Sequence, residues 1–494
     1  MHISLERDST QDRRPVYRQI ADQIQAQIEA TRLAAGQKLP PIRDLARDLG
    51  VNRDTVALAY EALAEAGMVE SSVGRGTFVR DHGLSGERGA PFDPAFSPLT
   101  DRLVAFERAR PRFGSANGAV PMHALIPDPS LYPIDAFRRT LNRALQEGGP
   151  ELLLYGGPQG DPRLRGALAE RLRRASLDVT PQEIVLCHGA SQGISLALRV
   201  FAAPGDVVAL EEPTYNNVLA AAFGLGIETA PVPMRETGVD LAGLERTLAR
   251  PEVKAFYSIP TFHNPMGTTT SLAHRQSVLE IARRHGVPII EDGYEMDLRF
   301  TGRSVPPLAG LDRSGLVVHL FSFSKSLFPG ARVGAITARG RTVDALIALK
   351  QSSDLSDALP IQVALAAFLE NGDYDRHLTR MRRVLRERRD ALIGALESED
   401  LDGARWTTPE GGYQVWLELP EGIDTSELLT DAIGAGVLFA PGSQFNHDGR
   451  PSRCLRLTFA MAESADLRLG IARLARCIRE RNGRRPRAAA GIHI

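Results

Sequence analysis

Apolar residues along the 494-residue chain follow two successive rhythms. In "YRQIADQIQAQIEA", Ile20, Ile24 and Ile28 recur at the spacing of one buried helix face. In "LPPIRDLARDLGVNRDTVALAYEALAEAGM", Ile42, Leu45, Ala46 and Leu49 form a second face, Gly50 marks a break, and Val51, Val56 and Leu63 resume the pattern. That is helix-turn-helix spacing: small Ala46 lets two helices approach, Gly50 admits a left-handed turn and Val56 fills the angle between them. "MVESSVGRGTFV" then reads as two short strands joined by Gly74-Arg75-Gly76. From about residue 121 the rhythm changes. Helical stretches such as "IDAFRRTLNRALQE" and "PRLRGALAERLRRA" alternate with short apolar runs such as "EIVLCHG", "DVVALEE", "KAFYSIP", "VPIIEDG" and "GLVVHLFSFS". The alternation predicts an α/β domain with a mostly parallel sheet covered by helices.

Between the two regimes, residues 81–120 are rich in Gly, Pro and Arg, show little sustained periodicity and read as a linker. The chain therefore divides into an N-terminal module over 10–80, the linker, a large domain over 121–480 and a loose basic tail over 481–494. Length and average composition place it among multidomain globular proteins. No apolar run approaches the roughly 18 residues of a membrane span, and the charged start "MHISLERDSTQDRR" is unlike a secretory signal, so a cytoplasmic location without a membrane partner is expected. Cys187, Cys454 and Cys477 lack metal-ligand spacing and read as buried reduced thiols, with neither disulfide nor metal expected. A net charge of −1 says nothing for or against nucleic acid. Residues 1–80 carry eleven basic and eleven acidic side chains, so any DNA binding there rests on placement and not on bulk charge.

Placement is what the N-terminal module offers. Asn52 stands where a helix N-cap is needed, which puts Arg53 and Thr55 in the first turn of the second helix, where a recognition helix meets bases and phosphates. Arg43, near the start of the preceding helix, is placed to hold the DNA backbone, and Arg75 with Gly76 to form a wing tip at the minor groove. From "PVYRQI" to "GTFV" the segment resembles the winged-helix domain of the GntR family, including the core over Gly36 to Val56. Asp54 is acidic at the recognition-helix start, and Ala57 stands where some relatives carry arginine.

In the large domain, Lys325 of "SFSKSLFPG" lies between an apolar run and a Pro-Gly turn. A lysine with a depressed pKa condenses as a free amine with an aldehyde to a Schiff base. A pyridine aldehyde cofactor then needs a carboxylate at its ring nitrogen, a donor at its phenolic oxygen, and N–H groups or cations at its phosphate. Asp292 ends the apolar run "VPIIED" and suits the first. Asn264 in "HNPMG" and Tyr294 suit the second. The turn before "ASQGISLALRV" aims the backbone N–H groups of Ala190 and Ser191 at an anion, with Ser322, Ser324 and Arg332 flanking the lysine, and Tyr215 is placed to stack on the ring.

Together "LLYGGPQGDPRLRGALAERL", "GASQGI", "EEPTY", "HNPMG", "EDGYE", "SFSKSLFPGARVG", "PEGGYQVWLEL" and "CLRLTFA" resemble the fold-type I, class I/II aminotransferases, in that family's order, over about 121–479. The resemblance implies that Lys325 forms the internal aldimine of pyridoxal 5'-phosphate, that Asp292 holds the pyridine nitrogen, and that Asn264 and Tyr294 hold the phenolic oxygen. It gives Ser191, Ser322, Ser324 and Arg332 the phosphate. It also implies that Tyr155 reaches the cofactor phosphate of a partner subunit and that Arg456 binds a substrate α-carboxylate, with a smaller C-terminal α+β subdomain carrying that arginine. Ala190 lacks a hydroxyl often found at its position, and Met266 stands where threonine is common.

A winged helix, a linker and an aminotransferase-like domain in one chain resemble the MocR subfamily. This implies a pyridoxal phosphate-dependent transcription factor that binds an operator as a head-to-tail homodimer and senses an amino acid or other amine at Lys325. The alternative is a working aminotransferase with an accessory DNA-binding domain.

Overall fold

The computed structural model describes residues 3, 15–30, 32–72, 76–80, 94–109, 118–399, 401 and 403–483. Two compact units are present, Met1–Ala95 and Phe96–Ile494. The first holds helices Val16–Glu29, Ile42–Leu49 and Arg53–Glu65 and the antiparallel hairpin of Val69–Ser72 with Gly76–Val79. Ile20, Ile24, Leu45, Ala46, Val56, Ala59 and Leu63 close its core. Gly50 takes φ +62° and ends the second helix with its own N–H on the Ala46 and Arg47 carbonyls, a turn that a side chain would strain. Arg75 lies outside the described residues.

The second unit is built on an eight-stranded sheet. Its strand order is Ile184–Cys187, Gly334–Thr337, Val317–Ser322, Ile289–Asp292, Val253–Ser258, Val207–Glu212, Glu228–Arg235 and Gly238–Val239. The run from Val317–Ser322 to Glu228–Arg235 is parallel, whereas Gly334–Thr337 is antiparallel to both its neighbours and Gly238–Val239 returns along the far edge. Every residue of Ile184–Cys187, Ile289–Asp292, Val317–Ser322 and Gly334–Thr337 is buried, as strands covered on both faces must be. A smaller antiparallel sheet, ordered Arg405–Trp406, Gln414–Glu418, Cys454–Thr458 and Ala440–Pro441, forms the C-terminal subdomain with helices Thr425–Gly434 and Ser464–Gly483.

Three expectations change in detail. Within the span read as a linker, Pro98–Ala109 is a helix: Leu99 and Leu103 lie over Gly226 and Gly224, and Phe106 meets Phe223 edge-on with ring centroids 5.0 Å apart. Apolar residues one and two turns apart give this short stretch a half-buried stripe despite its Pro- and Arg-rich surroundings. The last helix runs to Gly483, three residues into the span read as a tail, whose remaining residues 484–494 lie outside the described ones. All three cysteines are free, but Cys454 is only half-buried.

One close approach fixes the strand ends. A Cβ at Gly334 would lie 2.8 Å from the Gly189 Cα and 2.8 Å from the Phe321 carbonyl, and neither backbone can yield. Gly334→Ala should therefore cost about 1–3 kcal/mol, the usual range for overpacking, read as a lowered urea midpoint of the large unit by circular dichroism.

Candidate functional site

The carboxyl ends of the parallel strands open into a cavity of about 180 Å³, the place where open α/β sheets bind ligands. Asp292 ends its strand fully buried, with Oδ2 accepting from Tyr257 Oη at 2.7 Å and Oδ1 from the Tyr294 N–H at 3.1 Å. Burial outweighs both donors and pushes its carboxyl up to about 6. Among the described residues, no cation lies within ion-pair distance of it.

On the neighbouring strand, register pairs Leu320 with Asp292, and the chain turns three residues past Ser322 to deliver Lys325 into the same cavity. Lys325 Nζ donates to the Leu125 carbonyl at 2.5 Å, and the Tyr413 hydroxyl donates to the Lys325 carbonyl. Burial draws the amine down to about 8, opposed chiefly by the Glu295 carboxylate. Burial pushes Glu295 itself up to about 8, with Lys325 opposing. The Glu295 carboxyl lies beside the Tyr294 hydroxyl, and a side chain at Gly412 would collide with it.

At the opposite end of the cavity, Gly189 with φ +83° turns the strand Ile184–Cys187 into helix Ala190–Phe201. Ala190 and Ser191 at its N-terminus line the cavity together with Ser322, Ser324 and Arg332. Arg332 Nη2 donates to the His188 carbonyl at 2.6 Å, and the Ser324 N–H donates to Ser322 Oγ at 3.2 Å. A helix N-terminus, three hydroxyls and a guanidinium form an anion cup. Tyr215 lines the same space, its hydroxyl accepting from Asn217 Nδ2 at 2.8 Å. Tyr155 does not join this chain's cavity; it is 84% exposed and follows exposed Leu153 and Leu154.

The small sheet reaches the residues that line the cavity from behind. Arg456 is buried, with Nη1 donating to Asn264 Oδ1 at 2.9 Å and Nη2 to the His123 carbonyl at 3.0 Å. Its guanidinium lies 5.0 Å from the Phe445 ring centroid. No carboxylate is within ion-pair distance among the described residues, Nε has no partner, and burial lowers the group to about 10. Gln414, on the adjacent strand, donates from Nε2 to Tyr294 Oη at 2.6 Å. Sequence reasoning missed Tyr257, Glu295, Gln414 and the Leu125 carbonyl. Tyr257 looks like any aromatic strand residue, whereas Gln414 carries a faint signal as a polar side chain opening the apolar run of "GGYQVWLEL".

In the first unit, Asn52 Oδ1 caps helix Arg53–Glu65 through the Asp54 N–H at 3.4 Å. Arg43 and Arg53 are exposed without an ion pair among the described residues, and Thr55 is half-buried beside them in the first turn. Arg47, by contrast, is tied to Asp44 at 3.3 Å. Gly76, with φ +112°, opens the second wing strand against the Lys38 side chain.

A covered parallel sheet with a lysine, a carboxylate and an anion cup at its strand ends, preceded by a winged helix, defines a cofactor-binding transferase fold joined to a DNA-binding module. Residues 128–474 match the aminotransferase class I and II family, and residues 16–79 match the bacterial regulatory proteins of the gntR family. The chain belongs to the aminotransferase class I and II family and carries a gntR-family domain ahead of it, the arrangement of MocR-type regulators. Aromatic-amino-acid aminotransferase 1 of Thermococcus litoralis is 36% identical over 72% of this chain and 87% of its own. The probable rhizopine catabolism regulatory protein MocR of Rhizobium meliloti is 29% identical over 92% of both chains. The solved structure of LysN, an α-aminoadipate aminotransferase from Thermus thermophilus complexed with N-(5'-phosphopyridoxyl)-L-leucine, matches with a TM-score of 0.73 and 32% identity over 78% of this chain and 98% of that one.

Such aminotransferases depend on pyridoxal phosphate, and the residues here fit that group. Asp292 is a buried carboxylate with no cation at ion-pair distance among the described residues, the cup gathers hydroxyls and a guanidinium suited to a phosphate, and Lys325 is an amine whose neutral form is accessible near neutral pH. Because only the free amine attacks an aldehyde, capture of pyridoxal phosphate, followed by absorption of the loaded protein, should quicken as pH rises through about 8. Lys325→Ala should show no lysine-linked absorption at any pH. A capture rate that falls across that interval contradicts a depressed lysine.

Proposed function

We propose that this chain is a regulator that reads an amino acid at Lys325 and reports it to DNA. The observation that carries this is Arg456: a buried guanidinium with no carboxylate partner among the described residues, held beside Asn264 in the domain that contains Lys325. An effector bearing both an amine and a carboxylate satisfies Arg456 and Lys325 together. A buried cation bonded only to an amide oxygen and a carbonyl gains more from a carboxylate than from either.

In this reading Asp292 keeps the pyridine nitrogen of the cofactor protonated. Tyr294 and Asn264 serve its phenolic oxygen, and Ala190, Ser191, Ser322, Ser324 and Arg332 hold its phosphate, with Tyr215 against the ring face. Bound there, pyridoxal phosphate supplies an electrophilic carbon at which one primary amine replaces another. Lys325, once displaced, is a free amine able to hold a proton beside Glu295. Arg456 reaches its ligand from the small subdomain, so a ligand that takes its guanidinium from Asn264 and the His123 carbonyl biases that subdomain's position. We further infer a head-to-tail homodimer: the exposed Leu153, Leu154 and Tyr155 form an apolar edge suited to a second copy, with Tyr155 reaching that copy's phosphate cup.

On the DNA side, Arg53 and Thr55 face the bases, Arg43 and Asn52 the backbone, and Arg75 with Gly76 the wing contact. Fluorescence anisotropy on operator fragments drawn from DNA flanking the gene should give sequence-specific, salt-dependent binding that changes when amino acids are added to the cofactor-loaded protein. Rapid multiple turnover with an amino acid and 2-oxoglutarate, without any amino-acid effect on DNA affinity, would favour the aminotransferase reading instead. Arg53→Ala should weaken binding and flatten the log–log salt slope by about 1, the loss of one phosphate-neutralising charge, or relax specificity at one position if it reads a base.

A further inference from the structure

Gln414 opens the small-subdomain strand Gln414–Glu418 and is fully buried. Its Nε2 lies 2.6 Å from Tyr294 Oη, 3.0 Å from the Phe262 carbonyl and 3.2 Å from the His263 carbonyl. Backbone carbonyls only accept, so this end of the amide is the NH2 group and its orientation follows from chemistry. The other end, Oε1, has no partner among the described residues. A buried amide that leaves its carbonyl unsatisfied is held for what its NH2 group reaches.

That arrangement constrains the single proton of Tyr294. Nε2 carries two hydrogens for three oxygens: the phenol, the nearest at 2.6 Å, takes one and the two carbonyls share the other, so the phenol's own proton cannot point at Gln414. Three directions remain: the Phe262 carbonyl at 3.3 Å, long for an O–H donor, the neighbouring Glu295 carboxyl, which burial drives toward its protonated form, or the cavity that Tyr294 lines. Gln414 also donates to that same Phe262 carbonyl, which reduces its pull on the phenol. The charged groups facing Tyr294 are Glu295, Asp292 and Arg456, none of them altered by a change at position 414.

We propose that Gln414 is a positioning residue that turns the Tyr294 proton into the cavity, so that the placement of the small subdomain sets the hydrogen bond received by the cofactor's phenolic oxygen. The inference rests on Tyr294 serving that oxygen. It makes the small sheet an electronic as well as a steric partner of the site, because Gln414 stands on the strand paired with that of Arg456. Movement of this sheet that frees Arg456 for a ligand would also loosen the amide from Tyr294.

The test is a pH titration of the near-visible absorption of protein loaded with pyridoxal phosphate, for the unaltered chain, Gln414→Leu, Tyr294→Phe and the double variant. A hydrogen bond donated to the phenolic oxygen favours its ionised form, so losing that bond moves the titration midpoint upward. Gln414→Leu should raise it by about half to one pH unit, and the double variant should show no more than Tyr294→Phe alone, since both act through one hydroxyl. If Tyr294→Phe shifts the midpoint and Gln414→Leu does not, or if the two shifts add, the inference is overturned while the role of Tyr294 stands. If Tyr294→Phe itself leaves the midpoint in place, the reading of Tyr294 fails and takes the inference with it. Should Gln414→Leu fail to fold, Gln414→Asn retains an amide that stops about 1.5 Å short of the phenol and must show the same upward shift; an unmoved midpoint there also overturns the proposal.

Discussion

The buried Asp292 carboxylate and the half-buried Lys325 amine, two groups that water would normally solvate, line one cavity with no ion pair to either among the described residues. Such burial costs several kcal/mol per charge unless the group neutralises or finds a counterpart. The structure does both in part: the lysine is drawn toward its neutral form, and the aspartate is given two neutral donors that fix its direction without cancelling its charge. Much else in the large unit serves this placement. The parallel register of Leu320 with Asp292 sets how far apart the two chains leave the sheet. Gly189 and Gly334 touch backbone to backbone, which lets the anion cup come close to the lysine-bearing turn. Substituting either charge by an apolar residue would remove the cost and the chemistry together.

The seam between the large sheet and the small one runs through the same site. Arg456 reaches Asn264, Gln414 reaches Tyr294 and Tyr413 reaches the Lys325 carbonyl, so three hydrogen bonds from the C-terminal subdomain end on groups that line the cavity. None of these contacts is an ion pair, and a carboxylate entering at Arg456 offers it a stronger acceptor than the amide oxygen it now holds. A ligand can shift a conformational balance only through unequal affinity for its states. Contacts of moderate strength across a seam, ending on groups that line the cavity, are where such inequality can arise.

The strand ends were legible in the sequence because each broke an apolar run with a side chain that a core cannot hold idle. Asp292 closing "VPIIED" and Lys325 after "HLFSFS" are both of this kind, and both reach the cavity. Residues that act from behind were not legible. Tyr257 lies within an aromatic strand where nothing distinguishes it from packing, and only the parallel pairing of Tyr257 with Ile290 brings its hydroxyl to Asp292. Gln414 and Glu295 depend on contacts across 120 residues or on a glycine that makes room, information that local spacing does not carry. The helix Pro98–Ala109 was hidden by composition: its stripe of Leu99, Leu103 and Phe106 is regular, but Pro and Arg on both sides read as linker.

Charge balance in the N-terminal unit bears on how a ligand can control DNA binding. With eleven basic and eleven acidic side chains over residues 1–80, there is no surplus charge to drive strong nonspecific attachment. Arg47 and Arg80 are engaged with Asp44 and Glu70, while Arg43 and Arg53 stand exposed without such partners near the recognition-helix start. A module with no surplus of basic side chains binds weakly alone, and two modules joined in one dimer gain affinity only when both engage their half-sites at the spacing the protein imposes. In the proposed dimer, then, occupancy depends on geometry more than on charge. A change in subdomain placement too small to alter any single DNA contact can still alter how well the second module is seated after the first.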